Sequence, residues 1–217
     1  SLDLPVETNN DIKEFIKISK QFSMTGERRM YVLSQAVSNV KNCKLEGDLV
    51  ECGVWRGGCY IAIAKTLKKL GSSKKVYLYD TFEGMTKPTT FDRNALTKDL
   101  AIKKFRKMQN ENHNKWCYAS LEDVKNSFMK YNILDKAVFI KGDVNNTLND
   151  LNNLPRNISL LRLDTDWYES TRKELEILYP LLQCKGIMMV DDYGHWEGAR
   201  KAVDEYIRKI QPGTKPM

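Results

Sequence analysis

The sequence predicts one α/β domain, a mostly parallel sheet with helices on both faces. Three observations carry this. Short apolar runs of strand length alternate with longer segments of helical period. Nearly every unusual polar residue falls at the end of such a run. The chain has 217 residues, enough for one large core and too few for two comfortable ones.

The first periodic segment, 27–40, spaces Met30, Leu33, Ala36, Val37 and Val40 as one face of a helix. It is expected beside the main sheet or against a second copy of the chain, which makes a homodimer or higher homo-oligomer the expected assembly. Strand and helix then alternate: strand 48–52, helix 57–70, strand 75–80, helix 121–131, strand 137–141. The alternation continues with a short helix 145–151, strand 158–164, helix 169–182, strand 186–191 and helix 197–210. Right-handed crossovers between successive parallel strands follow from that order. The segment 81–97, with Gly84, Pro88 and several threonines, is longer than most connections, and is either a lid or binding loop or a disordered stretch. The expected organisation is a helical extension and lid over 1–44 followed by a catalytic domain over 45–217.

Composition narrows the class. Hydrophobic residues make up 41% and charged residues 29%, and no apolar stretch approaches a membrane span. The amino-terminal residues lack the basic segment and apolar core of a secretory signal, so a cytoplasmic location is expected. The five cysteines are scattered without a Cys-x-x-Cys pair and are expected to be reduced packing residues. A net charge of +7 could mark an anionic partner. The basic residues, as at Lys68-Lys69, Lys74-Lys75 and Lys103 to Lys107, lack aromatic interleaving, so solvated helix faces are expected and a nucleic-acid partner is not.

In parallel sheets, ligands bind beyond the carboxyl ends of the strands. Glu51, Asp80, Asp143, Asp164, Asp166, Asp191 and Asp192 all close or follow predicted strands. In Glu51-Cys52-Gly53-Val54-Trp55-Arg56-Gly57-Gly58, Gly53 admits a close ligand, and the helix opening at Gly57 and Gly58 offers unpaired N–H groups to a carboxylate. Asp80, ahead of Thr81 and Phe82, sits where a carboxylate accepts from ribose hydroxyls or caps a helix. Asp143 either accepts from an adenine amino group or shapes a turn.

The aspartate pairs are sharper. Neighbouring parallel strands lie about 4.8 Å apart, so Asp164, Asp191 and Asp192 could meet one ion if their strands are adjacent. Successive strand residues face opposite sides, so Asp191 and Asp192 can share it only if the strand ends there. All-oxygen donors favour a hard cation, Mg²⁺ first, with Ca²⁺ or Mn²⁺ as other candidates. His195, beside Trp196, is either a catalytic-site residue, supporting the metal ligands or touching substrate, or a helix-start residue with local hydrogen bonds. Trp167 and Tyr168 either wall an acceptor pocket or belong to the core. Asp164-Thr165-Asp166 also fits the Asp-x-Asp metal motif of a glycosyltransferase. A cofactor-binding protein without turnover is a further reading.

Four segments together resemble the macrocin O-methyltransferase family: Val-Glu-Cys-Gly-Val-Trp-Arg-Gly-Gly (50–58), Tyr-Asp-Thr-Phe-Glu-Gly-Met (79–85), Leu-Arg-Leu-Asp-Thr-Asp-Trp-Tyr-Glu-Ser-Thr (161–171) and Asp-Asp-Tyr-Gly-His-Trp-Glu-Gly-Ala-Arg (191–200). The resemblance implies a Rossmann-like class I methyltransferase fold and methylation of a sugar hydroxyl on a glycosylated natural product, with S-adenosyl-L-methionine and Mg²⁺. By motif position it implies metal ligation by Asp164, Asp191 and Asp192, and Asp166 as general base. It implies a cofactor site of Glu51, Gly53, Val54, Trp55, Arg56, Gly57, Gly58, Asp80, Thr81, Phe82, Ser120 and Asp143. It also implies a lid at Thr25 to Arg28, with Glu27 touching substrate, and a last strand pair beyond the final helix, which residues 211–217 are too few to supply.

Overall fold

The computed structural model describes residues 4–211. Five strands, β1 (Asp48–Cys52), β2 (Val76–Asp80), β3 (Ala137–Lys141), β4 (Ile158–Leu163) and β5 (Leu182–Val190), form one sheet in the order β3-β2-β1-β4-β5. Every pairing is parallel. The chain builds outward from β1 to β3, then restarts on the other side of β1 with β4. That reversal opens a crevice at the carboxyl ends of β1 and β4.

Period-two alternation splits the core between the two faces. Leu49 and Leu160 turn to the face covered by α1 (Asn10–Ser19), α2 (Glu27–Asn42), α3 (Gly58–Lys69) and, after a short α4 (Ala101–Met108), α5 (Leu121–Lys130). Val50, Cys52, Leu161 and Leu163 turn to the other, covered by α6 (Val144–Thr147), α7 (Tyr168–Leu178) and α8 (Glu197–Ile210). The stripe Met30, Leu33, Val37 and Val40 of α2 is fully buried in the first cluster. Burying each such side chain contributes about 1.5–3 kcal/mol, so α2 is part of the core layer. Val32 remains as its exposed large apolar residue.

Three features depart from the expectations. α1 is an additional helix, started by Asn9, whose side chain accepts from the Asp11 N–H at 2.9 Å, and anchored by Ile12 and Ile16. α4 is another, and its apolar residues Ala101, Phe105 and Met108 join a separate cluster with Trp116, Trp167 and Trp196. Cys43 and Cys184 are exposed and so are not packing residues, whereas Cys52 and Cys59 are buried. The segment 81–97 is pinned rather than loose. Fully buried Asp92 accepts from the Thr89 N–H at 2.6 Å, the Thr89 hydroxyl at 2.8 Å and the Tyr168 N–H at 2.8 Å. Residues 212–217, where the resemblance would lead into a last strand pair, lie outside the described residues. No helix among the described residues is long and apolar enough to cross a membrane.

Candidate active site at the strand ends

A cleft of about 840 Å³ occupies the crevice. That is near the upper end of the roughly 300–1,000 Å³ of single-ligand pockets, room for two molecules side by side. Its floor follows from register. Glu51 on β1 pairs with Arg162 on β4, and Arg162 pairs with Met189 on β5. Glu51 and Arg162 therefore face the α2 side together, as do Asp164 and Asp191, two residues beyond Arg162 and Met189. Arg162 is buried and donates to Glu51 at 3.0 Å and to Asp164 at 2.7 Å, with Asp191 at 3.6 Å. From α2, Arg29 donates to Asp191 at 3.0 Å.

β4 ends at Leu163 and β5 at Val190, so the condition for Asp191 and Asp192 to converge is met. One carboxylate oxygen from each of Asp164, Asp191 and Asp192 lies within 4.8 Å of the others. Three hard oxygen donors so close fit a divalent cation better than they fit one another. Burial, then the Asp192 and Asp191 charges, pushes Asp164 well above the usual carboxylate range against the pull of Arg162. Asp164 still keeps 25% of its side-chain surface open, so an ion can reach it. Asp192 is pushed to about 9 by burial and then by Asp166.

Asp166 completes the set. It adopts φ +68°, in the left-handed region, and its N–H donates to the Asp192 carboxylate at 3.2 Å. Beneath it, the Thr165 hydroxyl donates to buried Glu174 at 2.9 Å. Thr165 is thus anchored through its hydroxyl, and it lines the cleft together with its two aspartate neighbours. Burial and then the Asp164 charge raise Asp166 to about 7, a value suited to a general base at neutral pH.

On the β1 and β2 side, Asp80 accepts from the N–H groups of Val54 at 2.7 Å and Trp55 at 2.9 Å through one oxygen, and from Phe82 at 2.8 Å through the other. It holds the glycine turn and its own loop in place. Gly53 is required there: at φ +83° an added Cβ would lie 1.9 Å from the Asp164 carbonyl oxygen. Glu51, raised to about 8 chiefly by burial, leaves Oε2 without a hydrogen-bond partner.

Of the residues expected at the cofactor site, Glu51, Gly53, Val54, Trp55, Asp80, Thr81 and Asp143 line the cleft. Arg56, Gly57, Gly58, Phe82 and Ser120 do not. Gly57 abuts Phe128, Gly58 abuts Ser23, and Ser120 caps α5 by accepting from the Asp123 N–H at 3.1 Å. Asp143 also caps, accepting from the Asn145 N–H at 2.9 Å. Thr25 lines the cleft and Glu27 does not. His195 lines it, with Nε2 3.5 Å from the Asn94 amide. Trp116 and Trp196 form a wall, backed by Trp167 at ring-centroid distances of 5.4 and 5.0 Å. Trp167 is thus a buttress, and Tyr168 points away to Glu205 at 2.7 Å. Arg162, Arg29 and the lysines of α4 are lining residues that the sequence reading did not single out.

The macrocin-O-methyltransferase (TylF) family model matches residues 14–217. The chain belongs to the macrocin-O-methyltransferase family. It is 35% identical over 186 residues to the 8-demethyl-8-(2,3-dimethoxy-alpha-L-rhamnosyl)-tetracenomycin-C 4'-O-methyltransferase of Streptomyces olivaceus, covering 85% of this chain and 67% of the relative. It is 34% identical over 191 residues to the demethyldecarbamoylnovobiocin O-methyltransferase of Streptomyces niveus, covering 87% and 68%. Among solved structures, the O-methyltransferase NovP superposes with a TM-score of 0.78 at 27% identity, over 94% of this chain and 92% of that one. This macrocin-O-methyltransferase family member is accordingly an O-methyltransferase with the class I α/β fold, and the glycosyltransferase reading is set aside.

Proposed function

We propose that the chain transfers the methyl group of S-adenosyl-L-methionine to a hydroxyl of a sugar, free in a saccharide or borne by a natural product, in an Mg²⁺-dependent reaction. The observation that carries this is the convergence of Asp164, Asp191 and Asp192 within 4.8 Å, directly beside a fourth carboxylate of raised pKa, Asp166. The acceptors of its relatives, a rhamnosyl tetracenomycin and mycinamicin III among them, support a sugar hydroxyl.

The residues divide the work. Asp164, Asp191 and Asp192 would hold the cation. When bound, Mg²⁺ supplies Lewis-acid stabilisation of an acceptor oxygen, and S-adenosylmethionine supplies an electrophilic methyl. Asp166 takes the hydroxyl proton onto a carboxylate oxygen as that oxygen becomes a nucleophile. Glu51, Asp80 and the Gly53–Trp55 turn hold the donor side, with Asp143 at its edge. Trp116 and Trp196 keep water from the acceptor side, and His195 stands close enough to touch the acceptor. Arg162 stays charged and keeps Asp164 and Asp191 turned toward the cleft.

Calorimetric titration tests the assignment of sites independently of the acceptor. Asp164→Ala and Asp191→Ala are expected to lose Mg²⁺ or Mn²⁺ binding while keeping S-adenosylhomocysteine affinity within about threefold of the parent, a change below 1 kcal/mol. Metal binding that survives both substitutions sinks the assignment.

A further inference from the structure

The cleft carries a second charged surface besides its acidic floor. α4 places Lys103, Lys104 and Lys107 on its lining. The helix cannot roll to carry these exposed residues away, because its opposite side, Ala101, Phe105 and Met108, is packed on the tryptophan cluster. Lys104 is further fixed with its ammonium 4.1 Å from the centroid of the Trp116 ring, a cation–π contact at the cleft wall.

Other lysines nearby have carboxylate partners: Lys98 meets Glu197 at 2.6 Å and Lys141 meets Glu83 at 2.9 Å. Among the described residues, Lys103, Lys104 and Lys107 have no ion-pair partner. Like charges at i and i+4 on a short helix oppose one another. An anion brought into the cleft relieves that repulsion. A neutral glycoside leaves it in place.

The position of the lysines indicates which ligand would bring the anion. The α4 wall is continuous with Trp116 and Trp196, and Trp196 follows Asp192 and His195 at the end of β5. The turn proposed to hold the donor, Gly53 to Trp55, sits at the ends of β1 and β2, fastened to Asp80, and meets the Trp116 segment at its far end, where Trp55 Nε1–H donates to the Tyr118 carbonyl at 3.3 Å. The lysines therefore belong to the acceptor side.

We propose that the acceptor is a phosphate-bearing glycoside, its hydroxyls over the aspartates and its phosphate oxygens against Lys103, Lys104 and Lys107. This rests on the sugar methylation proposed above and specifies its substrate class. The chemistry is otherwise unchanged. A C–O bond forms as the C–S bond breaks, the hydroxyl proton goes to Asp166, S-adenosylhomocysteine leaves, and the phosphate stays intact.

The test uses the full chain with Mg²⁺ and S-adenosylmethionine, and compares each of several hexoses in three forms: nucleoside-diphosphate hexose, hexose 1-phosphate and methyl hexoside. At low salt, a charged form is expected to show a KM about tenfold or more below that of the methyl hexoside, the gap narrowing as salt screens it. A preference for the nucleotide form over the 1-phosphate identifies the source of the phosphate. In Lys103→Gln/Lys107→Gln the ratio of the two KM values is expected to fall toward one, with S-adenosylhomocysteine affinity as in the parent. Equal KM values in the parent, a ratio untouched by the double substitution, or loss of S-adenosylhomocysteine affinity in the variant would each overturn the proposal. Turnover of methyl hexosides alone overturns it and leaves sugar methylation standing. Methylation of no hexose in any form, by a protein that binds S-adenosylhomocysteine, removes both proposals.

Discussion

Asp166 is held in the left-handed region at φ +68°, a conformation costing a non-glycine residue about 1–3 kcal/mol. The bond from its N–H to Asp192 and the inward pull of Glu174 on Thr165 offset that cost and fix the carboxylate among three others. Asp166→Asn keeps the shape and removes the proposed base, so kcat is expected to fall by about 10²–10⁴-fold with donor affinity unchanged, measured by methyl transfer and calorimetry. For a base, the active form is the deprotonated one. Parent activity should therefore decline as pH falls through the Asp166 pKa, about 7 before a cation is bound and lower after it, and the Asn variant should lack that limb. At Gly53, φ +83° and the 1.9 Å approach to the Asp164 carbonyl oxygen forbid a side chain. Gly53→Ala is expected to unfold at lower urea and to lose donor binding, because the β1 turn and the β4 end must part.

The strand ends act as one element through Arg162. The register that pairs it with Glu51 places a buried guanidinium between Glu51 and Asp164. Truncation leaves those acids without their hydrogen-bond donor, and Arg162→Ala is expected to cost about 1–3 kcal/mol per orphaned group in denaturant unfolding. Added divalent cation should recover part of the loss, since it supplies positive charge at Asp164. In the helix layer on that same face, Leu33 of α2 is buried at 1% exposure within the common core. Leu33→Ala is expected to cost about 2–5 kcal/mol. Both substitutions test packing at the level of whole elements, and a cost under about 1 kcal/mol for either would contradict it.

Across the molecule, the buried acids link stability to the proposed metal binding. Glu51 titrates at about 8 in the fold against 4.5 for the free side chain, and Asp192 at about 9 against 3.8. Between those values the native state binds more protons than the unfolded chain, so metal-free stability should fall as pH rises from about 4 to about 9. A cation at the aspartates replaces the protons. Its stabilising effect on Tm should therefore be larger at pH 8 than at pH 5.5.

Much of this was legible in the sequence, for physical reasons. Apolar runs of strand length marked β1 to β4 to within a residue and the end of β5, whose start at Leu182 fell in an expected helix, and acids in phase at the strand ends marked the cleft. The convergence of Asp164 with Asp191 and Asp192 required that two strands be neighbours and that the second end at Val190. Arg162 was not legible as the counter-ion, because a charge inside Leu-Arg-Leu shows its partner only once the order of β4 and β1 is known. A contiguous motif does not separate lining residues from their neighbours: Gly57 and Gly58 pack against Phe128 and Ser23, and Ser120 caps α5. The α4 lysines were hidden differently. A basic run reads as a solvated face until the tryptophans beneath it, distant in sequence, are brought together.

The most direct measurement is transfer of a labelled methyl group from S-adenosylmethionine to a hexoside panel, by parent and Asp191→Ala, with Mg²⁺ and with chelator. Transfer by the parent in Mg²⁺ alone, absent in the variant although it still binds S-adenosylhomocysteine, is the expected result. Equal transfer by the parent in chelator, or by the variant in Mg²⁺, would contradict a metal-assisted site built on the paired aspartates.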